Sequence, residues 1–192
     1  MSRDSQQITL VLQSCKAGNA AAQKRLYELF YSYGMSVALR FTASRYEAQE
    51  VLNDAFYKVF MKLEMFDKSF AFKPWFRKII IHTAIDYQRK YNKIIFDKED
   101  ISIYENKQFS KNEGWDNLKY EDAIKFIQEL SPAYQLVFNL YAIEGYKHYE
   151  IAEKLGISVG ASKSNFSRAK KKLQEKLSTV LKADKKEWKY GK

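Results

Sequence analysis

Apolar residues recur along this chain at helical spacing, and strand-like alternation is nearly absent. Ile8, Val11, Leu12 and Cys15 share one side of a short first helix that Gly18 and Asn19 stop. Asn19 then caps a longer helix carrying Leu26, Tyr27, Phe30, Tyr33, Val37 and Phe41, in which Gly34 predicts a break. Ser44-Arg-Tyr-Glu47 places a serine three residues before a glutamate, the pattern of a capping box. A third helix therefore starts there and runs towards Met65, burying Val51, Leu52, Ala55, Phe56, Val59 and Leu63. Phe66 to Phe72 has no period and reads as an aromatic loop. Pro74 suits the first turn of a fourth helix, and Lys73 before it is expected to be extended.

After Asn92 the periodicity fades into a stretch rich in Asp, Glu, Ser and Asn, read as a linker over 93–117. It returns near Leu118 with Ala123, Phe126, Ile127 and Leu130. Ser131-Pro132 opens the next helix, which carries Leu136, Val137, Leu140 and Tyr141 and ends at Gly145. Ile151, Ala152 and Leu155 follow at helical spacing, Gly156 supplies a left-handed stop, and Ser158 can cap a further helix. That is helix, short turn, helix. The expected fold is all-α: two small helical domains, 1–92 and 118–182, on a flexible linker, with a helix-turn-helix in the second and a frayed basic tail at 183–192.

Composition narrows the partners. In 192 residues, 46% apolar content supplies a core, and only two prolines and seven glycines interrupt the helical pattern. A net charge of +10 points to a polyanion, a nucleic acid or an anionic membrane surface. Membrane insertion is not expected, because no apolar run reaches the ~18 residues a spanning helix needs, and the N-terminus has no signal-peptide core. The expected location is the cytoplasm. A single cysteine excludes an internal disulfide and a multi-cysteine zinc site, and Cys15 reads as a small core residue.

Three stretches carry candidate chemistry. On a wheel starting at Lys163, Phe166, Ala169, Leu173 and Leu177 fall between about 240° and 320° and form a buried face. Lys163, Ser164, Ser167, Arg168 and Lys171 fall between about 0° and 140°, with no carboxylate among them. Long cations and hydroxyls on one stripe suit phosphates and base edges in a major groove; the plainer reading is a solvated helix face. On the third helix Glu47, Glu50 and Asp54 share a face beside Asn53. Early carboxylates complement the helix dipole, so docking on another protein and simple solvation both account for them. From Lys68 to Lys93 there are seven cations against the single acid Asp86, interleaved with aromatics. Bases can stack on such rings while cations hold the strand, although Trp75 and Ile79 also fit a core.

Nothing predicts catalysis. His82 and His148, the only histidines, are far apart and lack ligand partners. No phosphate loop, nucleophile set or carboxylate cluster is present, so no catalytic residue, metal or cofactor is expected. A helix-turn-helix repressor or activator that works without RNA polymerase remains the alternative, and a DNA-cutting enzyme would need a constellation that does not stand out.

Over about Ala20 to Leu181 the chain resembles bacterial RNA polymerase sigma factors of the extracytoplasmic-function (ECF) group. Ala48-Gln-Glu-Val-Leu-Asn-Asp-Ala-Phe56 is similar to their polymerase-docking helix. Phe72-Lys-Pro-Trp-Phe-Arg-Lys-Ile79 with Thr83-Ala-Ile-Asp-Tyr87 is similar to their promoter-melting segment. Leu130-Ser-Pro, Gly145-Tyr146, Glu150-Ile-Ala152, Leu155-Gly-Ile-Ser158, Lys163-Ser164 and Arg168-Ala169 resemble their upstream-element module. The resemblance implies a non-enzymatic initiation factor whose partners are core RNA polymerase, promoter DNA and an anti-sigma factor. Polymerase contacts then fall to Glu50, Asn53, Asp54 and Tyr57. Minus-ten DNA contacts fall to Phe70, Phe72, Lys73, Trp75, Arg77, Lys78, His82, Arg89 and Lys90. Minus-thirty-five contacts fall to Lys163, Ser164, Asn165, Ser167, Arg168 and Lys171. His82 stands where the family usually has asparagine, Pro74 where it has a small residue, Asn165 where it has arginine, and Lys147 where it has a Ser or Thr cap. The last change is worth about 1 kcal/mol of helix stability.

Overall fold

Three N-terminal helices meet where a glycine lets two of them touch. The computed structural model describes residues 3–67, 69–91 and 120–190, the side chains of 3–6 and 180–190 excepted. The linker assigned to 93–117 and Lys68 lie outside the described residues. The chain divides into two compact units, Met1–Asn92 and Lys93–Lys192. Every regular element among the described residues is helical.

Unit 1 holds α1 (Arg3–Lys16), α2 (Ala20–Ala38), α3 (Arg45–Lys62), a single 3-10 turn at Leu63–Met65, and α4 (Phe72–Tyr91). Asn19 caps α2 by accepting the Ala22 N–H at 3.0 Å. Ser44 caps α3 by accepting the Glu47 N–H at 3.2 Å, while the Glu47 carboxylate reaches back to the Ala43 N–H at 3.0 Å. The carboxylate arm thus closes one residue earlier than in a standard box.

The break expected at Gly34 does not occur: α2 runs through it. A Cβ there would lie 2.4 Å from Leu52 Cδ1 and 3.4 Å from the Phe76 ring, so the glycine serves the close crossing of α2 with α3 and α4. Around that crossing Phe76 packs on Phe56 at 4.7 Å, Phe72 at 5.6 Å and Phe30 at 6.1 Å between ring centroids. Gln88, buried on α4, ties the C-terminal side of α2 by donating to the Phe41 carbonyl at 2.6 Å.

Lys73 is helical, contrary to the extended conformation expected before proline, because α4 already begins at Phe72. Pro74 still lies in the first turn, where backbone N–H groups have no helical acceptor and a missing one costs nothing.

Unit 2 holds α5 (Tyr120–Gln128), α6 (Pro132–Phe138), α7 (His148–Leu155) and α8 (Val159–Tyr190). Ser131 precedes Pro132, but its hydroxyl makes no capping bond. Beyond Phe138 the backbone widens into a π-turn over Asn139–Ile143, and Gly145, at φ 78°, turns the chain into α7. α8 packs on both α6 and α7. It continues to Tyr190, through the stretch expected to fray, since no glycine or proline between 183 and 190 stops it.

Candidate nucleic-acid and protein interfaces

The turn between α7 and α8 is fixed by one left-handed glycine and two local hydrogen bonds. Gly156 adopts φ 69°, the Ile157 N–H closes on the Ala152 carbonyl at 3.0 Å, and the Ala161 N–H donates to Ser158 Oγ at 3.0 Å. Lys147, in the cap position of α7, has no acceptor to offer. The Glu150 carboxylate compensates in part by accepting the Lys147 N–H at 2.7 Å. Ile151, Ala152, Leu155, Ala161 and Ala169 are buried in the angle so formed.

With that face buried, α8 leaves Lys163 and Lys171 exposed and Ser164, Ser167 and Arg168 half-buried along one stripe. Asn165 does not join them. It is fully buried, and its Nδ2 donates to the Ala161 carbonyl at 2.7 Å, so it is withdrawn as a DNA contact. The reason is azimuth: at about 200° from Lys163 it falls between Ala161 and Ala169, inside the buried arc.

Sequence reasoning gave no role to His148, yet its side chain meets both the π-turn and α8. Its ring stacks on Tyr141 at 4.2 Å with planes 14° apart and meets Phe166 edge-on at 5.9 Å. Its Nδ1 lies 2.9 Å from the Oγ of Ser162, which is buried. Burial, and secondarily the Lys163 ammonium, lower the imidazole pKa below the usual range. Ser162 follows His148 by fourteen residues, a separation that no local pattern flags.

In unit 1, α3 presents Tyr46, Asn53, Asp54, Tyr57 and Met61 to solvent, with Glu50 half-buried beside them. Tyr57 is 66% exposed. Two of the candidates also bond within the unit. Glu50 accepts the Tyr87 hydroxyl of α4 at 2.9 Å, and Asn53 Oδ1 accepts from Tyr27 at 3.1 Å and from Gln49 at 3.0 Å. Asp54 and Tyr57 point outward beside these ties.

The melting-segment candidates separate. Trp75, Lys78, His82 and Arg89, spaced i, i+3, i+7 and i+14, share one face of α4, where all but the half-buried Trp75 are exposed. Lys73 sits over the Tyr33 ring at 4.4 Å, Lys90 over the Tyr91 ring at 4.8 Å, and Arg77 is half-buried. Phe70 is 71% exposed on a loop that Asp67 shapes by accepting the Ser69 N–H at 2.8 Å, a bond that holds the Asp67 carboxyl below its usual pKa range. Phe72 is withdrawn as a base-stacking residue. At 5% exposure it packs against Phe30, Phe66, Trp75 and Phe76, because α4 starts at it and turns it inward.

Among the described residues, no three His, Cys, Asp or Glu side chains gather as a metal site would require, and no helix is long and apolar enough to cross a membrane.

Residues 26–94 match the family described as Sigma-70 region 2, and residues 120–173 match that described as Sigma-70, region 4. The chain is 28% identical over 142 residues to the RNA polymerase sigma factor SigV of Bacillus subtilis (strain 168), covering 73% of this chain and 82% of that one. It is 22% identical over 176 residues to the ECF RNA polymerase sigma factor SigW of the same organism, covering 86% and 94%. Among solved structures, the sigma factor RpoE in complex with the anti-sigma factor NepR from Bartonella quintana is 22% identical, with a TM-score of 0.48, over 81% of this chain and 96% of that chain.

Proposed function

Since the chain belongs to the sigma-70 family of RNA polymerase sigma factors, in its ECF group, we propose a division of labour between its two units. As a sigma factor it directs core RNA polymerase to promoters. Unit 1 docks on core through Asn53, Asp54 and Tyr57 of α3, with Glu50 behind them. It holds the opened minus-ten strand with Phe70, Trp75, Lys78, His82 and Arg89, while Lys73, Arg77 and Lys90 flank that face. Unit 2 reads the minus-thirty-five element with Lys163, Ser164, Ser167, Arg168 and Lys171. An anti-sigma factor is the further partner this reading expects, and the cytoplasm is where it acts. The protein itself catalyses no reaction.

The observation that carries the reading is α8. Its apolar side is buried on α6 and α7, and a stripe of lysines and serines is left outward at the spacing a major groove accepts. Tethering two weak DNA-binding units raises the effective concentration of the second once the first is bound. In vitro transcription with core polymerase over a randomised promoter library tests the whole reading. Transcripts should start downstream of two enriched, separated elements. A library transcribed no better than by core alone would sink it.

A further inference from the structure

One histidine joins the three segments that frame the recognition helix. His148 is the first residue of α7; its ring stacks on Tyr141 of the π-turn, and its Nδ1 meets Ser162 Oγ on α8 at 2.9 Å. The ring contacts here, Tyr141 on His148 and Phe166 at 4.5 Å from Tyr141, set the distance between α8 and the π-turn but carry no donor–acceptor direction. The hydrogen bond is directional and weakens steeply once bent, so it adds a restraint on the azimuth of α8. Ser162 immediately precedes Lys163, so the azimuth of one fixes that of the other. Taking helical side chains to end about 5–6 Å from the axis, a rotation of ~20° would carry them roughly 2 Å. That is enough to miss a base edge while still reaching a phosphate.

We propose that His148 is a positioning residue for promoter reading: as a neutral imidazole protonated on Nε2, it accepts the Ser162 hydroxyl and so aims Lys163 and Ser164 at base edges. The neutral ring fits its surroundings, since a protonated Nδ1 could not accept, and Lys163 on α8 already contributes a positive charge nearby. Burial leaves the Ser162 hydroxyl little access to water, so Nδ1 also satisfies a donor that would otherwise be costly. This inference rests on the reading of unit 2 as a DNA module.

The test uses the full chain assembled with core polymerase. It measures competition between a promoter selected from the randomised library and the same promoter with its upstream element scrambled. Ser162→Ala removes the donor and fits the space. His148→Phe keeps the ring stack and loses the acceptor. His148→Asn keeps an acceptor near the position of Nδ1 and loses the ring. Ser162→Ala and His148→Phe should each lower the preference for the intact element about two- to tenfold, with binding to the scrambled promoter unchanged. The double variant should be no worse than either single one, and His148→Asn should stay within about twofold of wild type. Full preference in Ser162→Ala, losses that multiply in the double variant, or retention by His148→Phe with loss by His148→Asn would each overturn the proposal. A wild-type holoenzyme that does not distinguish the two promoters would instead count against unit 2 as a DNA module, and would take this inference with it.

Discussion

The Tyr87 hydroxyl of α4 donates to Glu50 of α3 at 2.9 Å, so one of the acids on the docking face also holds two helices of unit 1 together. Burial first, and that bond second, raise the phenol pKa and keep Tyr87 a donor. A charge reversal at Glu50 therefore mixes two effects. Asp54, exposed one turn further on, separates them. Asp54→Lys should weaken core polymerase binding several-fold with the thermal unfolding of the chain unchanged, whereas Glu50→Lys should weaken binding and lower the midpoint as well. Unchanged affinity of Asp54→Lys in a pull-down titration would remove this face from the interface.

Gly34 offers a test of packing alone. A methyl group there meets Leu52 Cδ1 at 2.4 Å and the Phe76 ring at 3.4 Å, and both side chains are fully buried. Gly34→Ala should destabilise unit 1 by about 1–3 kcal/mol despite the higher helix propensity of alanine. Gly34→Ala with Leu52→Ala should recover part of that loss in urea unfolding, less the cost of the deleted leucine atoms.

Phe70 and Phe72 lie two residues apart and should behave oppositely. Phe72→Ala empties a buried aromatic site and should cost about 3–5 kcal/mol in urea unfolding. Phe70→Ala should leave stability within about 0.5 kcal/mol, as for surface substitutions generally. It should also reduce permanganate-detected melting more than upstream binding, because stacking partners act once bases are exposed. Equal loss of melting and binding in Phe70→Ala would point to a structural role.

On α8, Lys171 should act through phosphate. Lys171→Ala is expected to weaken binding to all promoters alike and lower the salt slope by about one unit. Arg168→Ala should instead cost on the order of 1–3 kcal/mol at a single base position, if its guanidinium reaches guanine. Fluorescence anisotropy with single-base variants at two salt concentrations distinguishes these outcomes.

The His148 environment gives unit 2 a pH dependence of defined sign. Its pKa is lowered in the folded state, by burial and then by Lys163, so the unfolded chain binds the proton more readily. The stabilising contribution is complete above the unfolded value of about 6.5 and is lost as pH falls through the lower folded value. Tyr141 faces the ring from the π-turn, Lys147 precedes it at the cap position, and Glu150 follows it on α7. The urea midpoint of wild type should therefore fall more steeply below about pH 6.5 than that of His148→Asn. Parallel pH profiles would show that the ring is not held neutral.

The helices, their caps and the buried side of α8 were legible because each depends on residues within one or two turns. Ser44 with Glu47 and Gly156 with Ser158 are patterns of that kind, whereas Asn165, at about 200° on the wheel, lay between the apolar face and the cationic stripe and was assigned to DNA by its place in a familiar motif. Across helices the sequence was silent. Gly34 looked like a break because nothing local shows Leu52 lying against it. Phe72 looked like loop because Phe30, which packs on it, belongs to α2. The pairing of His148 with Ser162 depends on the angle between α7 and α8, which only the fold defines.

Cys15, the chain's single cysteine, is 4% exposed on α1, where burial also raises its thiol pKa. A thiol so placed reacts with an alkylating reagent only when α1 lifts from α2, so its labelling rate under native conditions reads the opening free energy of that helix. The protein thus carries a built-in gauge of unit 1: any partner that clamps or pries α1 will register as slower or faster labelling, with no probe added.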